Sequence, residues 1–335
     1  MQELRIDPLT GLRVLIADER GDRPGAGMEV EPRPPVDPDS DPFAAGHEDR
    51  TPPELYALRP DGGGRDGPGW RVRVVPNLYP ALADGEPDAV TDPLAGGRGQ
   101  PELFAGRPAV GAHEVIVNSP DPVSSLLDLG PDGLATAMEV WRERLRAHAA
   151  APCRHLIVNE GDGSAASLDH THAQLFALPL VPAAIARERE RFTAYHDRTQ
   201  GRNLLEDLLT EEVRAGERLV LVEREAIVIC PFASATPFQL QVIPRAPRAR
   251  FEDDGPLGAA ALFGALARLA AVFGAPAPLN LWVRTAPSGA ESFCWRIDVF
   301  PRLAQPGGLE LGTGLWCNAV APERAAARLR EADGT

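Results

Sequence analysis

The sequence predicts an α+β fold made of two similar halves in tandem, each an antiparallel sheet with helices. Short apolar segments of strand character alternate with segments that have the three-to-four-residue periodicity of a helix. A strand, a loop of small residues and a second strand occur at 154–180 and again at 279–303. Because 335 residues suffice for two ordinary domains, we place the halves at 1–180 and 181–335.

The first half is predicted to begin with a hairpin and to contain one long helix. The hairpin lies at 4–17, around a Pro-Leu-Thr-Gly turn. The helix lies at 134–149, where apolar residues recur at intervals of three and four. Further strands are predicted at 70–75, 111–119, 155–159 and from about residue 169. Two segments rich in polar residues, Pro and Gly are predicted to be irregular, 19–60 and 84–100.

The second half is predicted to contain three helices and a repeat of the strand–loop–strand pattern. The helices lie at 182–196, with Pro182 in the first turn, at 204–215 and at 257–273. Strands are predicted at 218–222, 226–230 and 238–243. Aligning 279–303 with 154–180 places Cys294 near His170 and Arg296 near His172. We interpret this as an internal duplication with the histidines retained in one copy.

The charge of the chain excludes several kinds of partner and chemistry. A net charge of −14 argues against general affinity for nucleic acid or for an anionic membrane. An anionic substrate would therefore be held by local arginines. The sequence contains no lysine, since all 34 basic residues are arginine, and this excludes P-loop and Schiff-base chemistry.

The cysteines and the N-terminus predict a cytoplasmic protein. The cysteines are far apart and form no CxxC pair, so we expect reduced thiols, at Cys153, Cys230, Cys294 and Cys317. The N-terminal sequence has no apolar signal region, and no apolar stretch approaches the length of a membrane span.

The strongest candidate site is the sequence His-Thr-His-Ala-Gln at 170–174. Along a strand alternate side chains share a face, so His170, His172 and Gln174 are predicted to point the same way. The preceding loop, 160–167, is rich in Gly, Ser and Ala, and such loops let backbone N–H groups approach an anion. A neutral imidazole can attack phosphorus and hold a nucleotidyl group, whereas a glutamine can orient the group but cannot titrate. A structural metal site, or a buried hydrogen-bonded pair, is also compatible with this spacing alone.

Six ordered blocks of sequence resemble the galactose-1-phosphate uridylyltransferase family of the histidine-triad superfamily. They are IDPLTGLRVLIADERGDRPG at 6–25, VRVVPNLYPAL at 72–82, GAHEVIVNSPD at 111–121, VNEGDGSAASLDHTHAQ at 158–174, CPFASATPFQLQVIPR at 230–245 and FPRLAQPGGLELGTGLWCNAVAPERAAARLR at 300–330. The resemblance implies two histidine-triad-like halves, a homodimer, and exchange of UMP between UDP-glucose and galactose 1-phosphate by a ping-pong route. Nucleotide-sugar and hexose 1-phosphate substrates are therefore expected, without nucleic acid or membrane partners.

The resemblance also assigns site residues. It implies that His172 is the nucleophile, that Gln174 contacts the transferred phosphoryl group, and that His170 belongs to the catalytic motif. Further positions match residues that contact the nucleotide or its phosphates, namely Arg23, Asn77, Asn159 and Ser167. Glu310 lies where the family binds hexose hydroxyls. His113 and the remaining histidines are assigned no function.

Most of the family's metal ligands are missing. Asp41 and Ala44 replace a cysteine pair and Pro122 replaces a histidine, so His170 is the one usual zinc ligand left. Because a tetrahedral zinc site needs four ligands, we predict no metal site and no required cofactor. A second metal position of the family is changed as well, with Glu188 kept and histidines replaced by Arg284, Cys294 and Arg296.

Two alternatives to uridylyl transfer follow from the same resemblance. The first is an ADP-sugar phosphorylase or adenylyltransferase of the same superfamily. The second is a relative that binds nucleotides without turnover, which the lost metal ligands favour. The retained Asn159, Ser167, His170, His172 and Gln174 favour an enzyme.

Overall fold

The computed structural model describes residues 2–19, 28–85, 104 and 106–332. Arg23 and most of the predicted irregular segment at 84–100 lie outside these residues. The strands are β1 (Glu3–Ile6), β2 (Arg13–Ile16), β3 (Tyr56–Leu58), β4 (Val72–Pro76), β5 (Ala112–Val117), β6 (Cys153–Glu160), β7 (His172–Leu178), β8 (Leu219–Val222), β9 (Ala226–Ile229), β10 (Leu240–Pro244), β11 (Leu279–Arg284), β12 (Arg296–Pro301) and β13 (Trp316–Asn318). The helices are α1 (Gly130–Ala147), α2 (Ala183–Arg198), α3 (Leu204–Ala215), α4 (Ala259–Phe273), α5 (Gly308–Thr313) and α6 (Pro322–Glu331).

One large antiparallel sheet joins the two halves. Within the described residues it has ten strands, in the order β3-β4-β5-β7-β6-β11-β12-β10-β9-β8. Its two halves have the same topology, because β3-β4-β5-β7-β6 from one edge corresponds strand by strand to β8-β9-β10-β12-β11 from the other. Strands β6 and β11 pair in the middle. Arg296 begins β12 just as His172 begins β7. This symmetry is what an internal duplication produces, and it confirms the predicted α+β class.

The two ends of the chain meet in a small second sheet. The hairpin β1–β2 forms as predicted, and β13 pairs with β2 in parallel, with Cys317 opposite Leu15. The first strands therefore pack with the last one, across the proposed boundary at residue 180. The division into 1–180 and 181–335 stays a prediction.

The faces of the large sheet are covered differently. Helices α1, α4 and α6 contribute to one apolar core with the sheet, which contains Trp141 of α1 and Leu266 of α4. On the other face α2 and α3 pack on the second half, where Phe192 joins Ile229 in a core. The first half has no α-helix on that face in the described residues and packs Phe43 there instead. The site lies on this second, less covered face.

Several element boundaries differ from the sequence predictions. Helix α1 begins at Gly130, before the apolar periodicity starts, because Pro131 is well placed in a first turn. Pro182 immediately precedes α2 rather than lying in its first turn. Strand β3 lies inside a segment predicted to be irregular, because pairing with β4 compensates for its weak local pattern. Strand β7 begins at His172, so His170 lies in the turn before it.

No helix in the described ranges is both long and apolar enough to cross a membrane. The cysteines are free thiols, as expected, at Cys153, Cys230, Cys294 and Cys317.

Gly111, just before β5, generates a prediction about stability. Its φ is +155°, and a Cβ on it would lie 2.2 Å from the carbonyl oxygen of Ala177 on β7. We expect Gly111→Ala to lower the free energy of unfolding by about 2 kcal/mol or more, because the backbone must move where the start of β5 approaches the end of β7. Urea unfolding measures this.

The matched control is Gly64→Ala, since no described atom lies within 4 Å of a Cβ built on Gly64. It should change stability by less than about 0.5 kcal/mol. Equal unfolding midpoints for the two variants would contradict the close approach of β5 to β7.

Candidate active site

His172 is a buried histidine with one nitrogen committed to the backbone. Its side chain is 4% exposed, and Nδ1 lies 2.8 Å from the carbonyl oxygen of His170. A carbonyl can only accept, so Nδ1 carries the hydrogen and Nε2 keeps the lone pair. Burial lowers the pKa of His172, and the hydrogen bond to the carbonyl only partly opposes this. The ring is therefore neutral at neutral pH and is a nucleophile at Nε2.

A cavity of about 360 Å³ opens beside His172. Its lining includes four of the predicted site residues, His172, Gln174, Asn77 and Ser167. Phe43, Val75 and Leu168 give it an apolar side, and Tyr79, which is 85% exposed, lies at its rim. A cavity of this size with an apolar wall and a few polar groups is typical of a small-molecule site.

Gln174 contacts a residue to which the sequence assigned no function, His113. Strand β5 pairs with β7 so that Val115 lies opposite Gln174 and His113 opposite Phe176. His113 Nε2 lies 2.9 Å from Gln174 Oε1, and its ring stacks on Phe176 with centroids 4.0 Å apart. Burial lowers the pKa of His113, and the bond to Gln174 opposes this. The alternation in GAHEVIVNSPD places His113 on one face of a strand, but the sequence does not reveal which strand is its neighbour.

His170 is fixed in the turn before β7 by two buried acceptors. Nδ1 lies 2.6 Å from Asp41 Oδ2 and Nε2 lies 2.9 Å from the carbonyl oxygen of Ser119. Burial tends to raise the pKa of Asp41, but hydrogen bonds from His170 and from the Phe43 N–H outweigh it and lower that pKa. Both imidazoles contact Phe43, with centroids 6.0 Å away for His170 and 5.3 Å for His172. His170 thus supports the nucleophile and leaves no ring nitrogen free for substrate.

The small-residue loop between β6 and β7 is held by the second half of the chain. Gly163 has a φ of +71°, and a Cβ on it would meet the Gln305 side chain at 2.4 Å. Arg302 donates to the Gly163 carbonyl at 2.9 Å. Asn280 of β11 donates to both Asn159 Oδ1 and the Ser164 carbonyl, each at 2.7 Å. Asn159 is therefore fixed at the base of the loop, and its contact with the nucleotide stays a prediction.

Glu310 does not line the cavity beside His172. It lies on α5, where its carboxylate accepts the Gly307 N–H at 2.8 Å. Its role in binding hexose hydroxyls stays a prediction, as does the role of Arg23.

Comparison with known proteins decides the family. The sequence profile of the N-terminal domain of galactose-1-phosphate uridyl transferase matches residues 1–182, more than half of the chain. The chain belongs to this family. ADP-glucose phosphorylase of Arabidopsis thaliana is 30% identical over 98% of this chain and 92% of its own. Galactose-1-phosphate uridylyltransferase of Cryptococcus neoformans is 25% identical over 98% of this chain and 89% of its own.

Solved structures of the family share the fold over the whole chain. The crystal structure of the Arabidopsis thaliana ADP-glucose phosphorylase with bound ADP-glucose superposes with a TM-score of 0.78 at 26% identity, covering 99% of both chains. A uridylyltransferase structure superposes with a TM-score of 0.72 at 24% identity, covering 99% of this chain and 98% of its own. The profile match and the relative at 30% identity confirm the family resemblance read from the sequence.

The residues at the family's zinc position do not fit a zinc ion. Asp41 and His170 are hydrogen-bonded to each other, and the second nitrogen of His170 is occupied by Ser119. In the described part of the chain no three His, Cys, Asp or Glu side chains are grouped so that they could hold a metal. Tetrahedral zinc requires four ligands, so no step of the chemistry proposed below involves it.

At the second metal position, arginine side chains surround the retained glutamate. Glu188 is fully buried and accepts a hydrogen bond from Arg296, and Arg284 Nε lies 3.3 Å from its other oxygen. Arg296 also contacts Asp298 at 3.1 Å. Burial would lower the pKa of Arg296, but Asp298 and Glu188 raise it, so the guanidinium stays charged. At this position the guanidinium group of Arg296 therefore supplies a buried positive charge next to Glu188.

The tautomer of His172 can be measured directly. In ¹⁵N-histidine-labelled protein, NMR should show His172 with the proton on Nδ1 at pH 7. Because burial lowers its pKa, the ring should stay neutral as the pH falls through 6.5 and protonate only below it. A proton on Nε2, or protonation above pH 6.5, would contradict the nucleophile assignment.

Metal content is a second measurement. We expect purified protein to contain well below one zinc per chain by elemental analysis, because Asp41 and His170 satisfy each other. A full equivalent that resists a chelator would show that other ligands exist.

Proposed function

We propose that this protein transfers a nucleotidyl group from a nucleoside diphosphate sugar to a phosphate acceptor through a covalent intermediate on His172. One observation carries the proposal: the hydrogen bond from Nδ1 to the His170 carbonyl leaves the lone pair of Nε2 available in a residue that lines the cavity. Membership of the family supports nucleotidyl transfer as the class of reaction.

The first half-reaction forms a phosphorus–nitrogen bond. His172 Nε2 attacks the α-phosphorus of the donor, and the bond to the bridging oxygen breaks, so that the sugar 1-phosphate leaves. The imidazole becomes cationic as the bond forms. The His170 carbonyl, already 2.8 Å from Nδ1, stabilises that charge without rearrangement.

The second half-reaction restores the enzyme. An oxygen of the acceptor phosphate attacks the same phosphorus, the phosphorus–nitrogen bond breaks, and His172 returns to its neutral tautomer. Neither step needs a proton from Gln174, because both leaving groups are weak bases. A glutamine at this position is therefore compatible with turnover, as a fixed amide that stabilises the charge on the phosphoryl oxygens.

Two donors have specific support. The Arabidopsis thaliana relative named ADP-glucose phosphorylase, at 30% identity, favours ADP-glucose with inorganic phosphate as acceptor. The relatives named galactose-1-phosphate uridylyltransferase, at 24–25% identity over 98% of this chain, favour UDP-glucose with a hexose 1-phosphate acceptor. We propose ADP-glucose first and UDP-glucose second. Catalysis without metal, a homodimer and a cytoplasmic location stay proposals that accompany either donor.

The covalent intermediate is the test of the proposal. Intact-mass measurement after mixing with ADP-glucose should show one AMP added per chain, or one UMP after mixing with UDP-glucose. Inorganic phosphate should discharge the AMP adduct to ADP, and a hexose 1-phosphate should discharge the UMP adduct to a UDP-sugar. The donor that labels faster at equal concentration is the better substrate.

Two substitutions complete the test. His172→Ala should abolish labelling, whereas His196→Ala, a histidine on α2 outside the cavity lining, should label like the wild type. Labelling that persists in His172→Ala would place the nucleophile elsewhere.

A further inference from the structure

His113 makes a set of contacts that a merely structural strand residue does not need. Its Nε2 faces Gln174 Oε1 at 2.9 Å, and its Nδ1 lies 3.2 Å from the backbone N–H of Ala81. Asn77 Nδ2 also lies 3.2 Å from Nε2. The ring therefore stands between Gln174 and the segment 77–81, part of which forms the cavity wall.

The backbone decides the tautomer of His113. The Ala81 N–H can only donate, so Nδ1 must accept and the hydrogen lies on Nε2. Nε2–H then donates to Gln174 Oε1. The opposite tautomer would accept from Asn77 Nδ2 but would set donor against donor at Ala81 and would lose the bond to Gln174. In the Nε2–H tautomer the Asn77 amide lies 3.2 Å from Nε2 without bonding it, so the two hydrogen bonds to Ala81 and Gln174 outweigh the one to Asn77. The cationic ring has the same conflict at Ala81, so the neutral Nε2–H form is favoured.

The orientation of the Gln174 amide follows from this tautomer. With Oε1 held by His113, the NH₂ group lies on the opposite side of the amide. A flipped amide would place NH₂ against Nε2–H and would turn its oxygen away from β5. During transfer that oxygen would face the anionic oxygens of the phosphoryl group and repel them.

We propose that His113 is a positioning residue that holds the Gln174 amide with its oxygen toward β5 and its NH₂ group toward the nucleotidyl group on His172. The effect on rate rests on the proposed function, since His113 acts through Gln174. Its stacking on Phe176 fixes the ring plane, with an angle of 24° between the rings.

Two substitutions test the Nε2–H hydrogen-bond donor of His113 separately from the aromatic ring that carries it. His113→Phe keeps an aromatic ring on Phe176 but removes the Nε2–H donor, and His113→Gln restores an amide N–H at a similar reach. The matched control is His155→Phe, because His155 of β6 lies opposite Phe176 on its other side. Its Nδ1 has no hydrogen-bond partner among the described residues.

Single-turnover labelling of His172 by ADP-glucose or UDP-glucose should respond as follows. Gln174→Ala should slow labelling by about 10²–10³, the usual effect of removing one transition-state donor. His113→Phe should slow it by at least about tenfold, the equivalent of losing one hydrogen bond, with little change in the donor concentration at half-saturation. His113→Gln should recover most of the rate, and His155→Phe should label like the wild type.

The double variant His113→Phe/Gln174→Ala distinguishes positioning from independent action. If His113 acts through Gln174, the double variant should be no slower than Gln174→Ala alone. Slowing by the product of the two single effects, or a wild-type rate for His113→Phe, would overturn the proposal.

NMR separates a failure of this inference from a failure of the proposed function. In the wild type, His113 should carry its proton on Nε2, and the Gln174 side-chain carbonyl carbon should shift in His113→Phe but not in His155→Phe. These NMR results do not depend on labelling. If neither ADP-glucose nor UDP-glucose labelled the protein, only the nucleotidyl-transfer proposal would be contradicted. A proton on Nδ1 of His113, or an unchanged Gln174 carbonyl, would overturn the positioning role.

Discussion

The site depends on one backbone carbonyl, that of His170, which accepts the hydrogen bond from His172 Nδ1. The turn that carries it is held on both sides by hydrogen bonds to buried groups. His170 is held by Asp41 and Ser119, and Thr171 donates to the buried carboxylate of Glu160 at 2.8 Å. Because an unsatisfied buried polar group costs about 1–3 kcal/mol, rotating this turn would break several bonds at once. The tautomer of the nucleophile is thereby built into the fold.

The same sheet face serves opposite purposes in the two halves. In the first half an irregular segment covers it incompletely, and the cavity opens over His172 and Gln174. In the second half α2 covers it and brings Glu188 against Arg296 at the start of β12. A buried ion pair costs desolvation, which the hydrogen bond from Arg296 and the nearby charge of Arg284, 3.3 Å from the other Glu188 oxygen, offset here. The duplicated unit therefore forms an open cavity in the first half and a buried cluster of charged side chains in the second half.

The second half also shapes the site directly. Asn280 bonds both Asn159 and the loop carbonyl of Ser164, and Arg302 holds Gly163. These contacts cross the middle of the sheet, where β6 pairs with β11. A loop that binds an anion through its backbone needs a fixed shape, since its N–H groups act only at close range. The halves are therefore one functional unit, although their sequences read as a repeat.

The sequence alone determined the α+β class and most helices and strands, because those depend on local periodicity. It also gave the candidate nucleophile with its glutamine, because a contiguous motif could be matched to a known family. It also predicted that His170, His172 and Gln174 would share one strand, whereas β7 begins at His172. Only the tertiary structure decided which distant groups complete the site. Asp41 is 129 residues from His170, His113 is 61 from Gln174, and Asn280 is 121 from Asn159. Such pairs follow from strand order and register, which burial of the whole sheet selects and which no local pattern encodes.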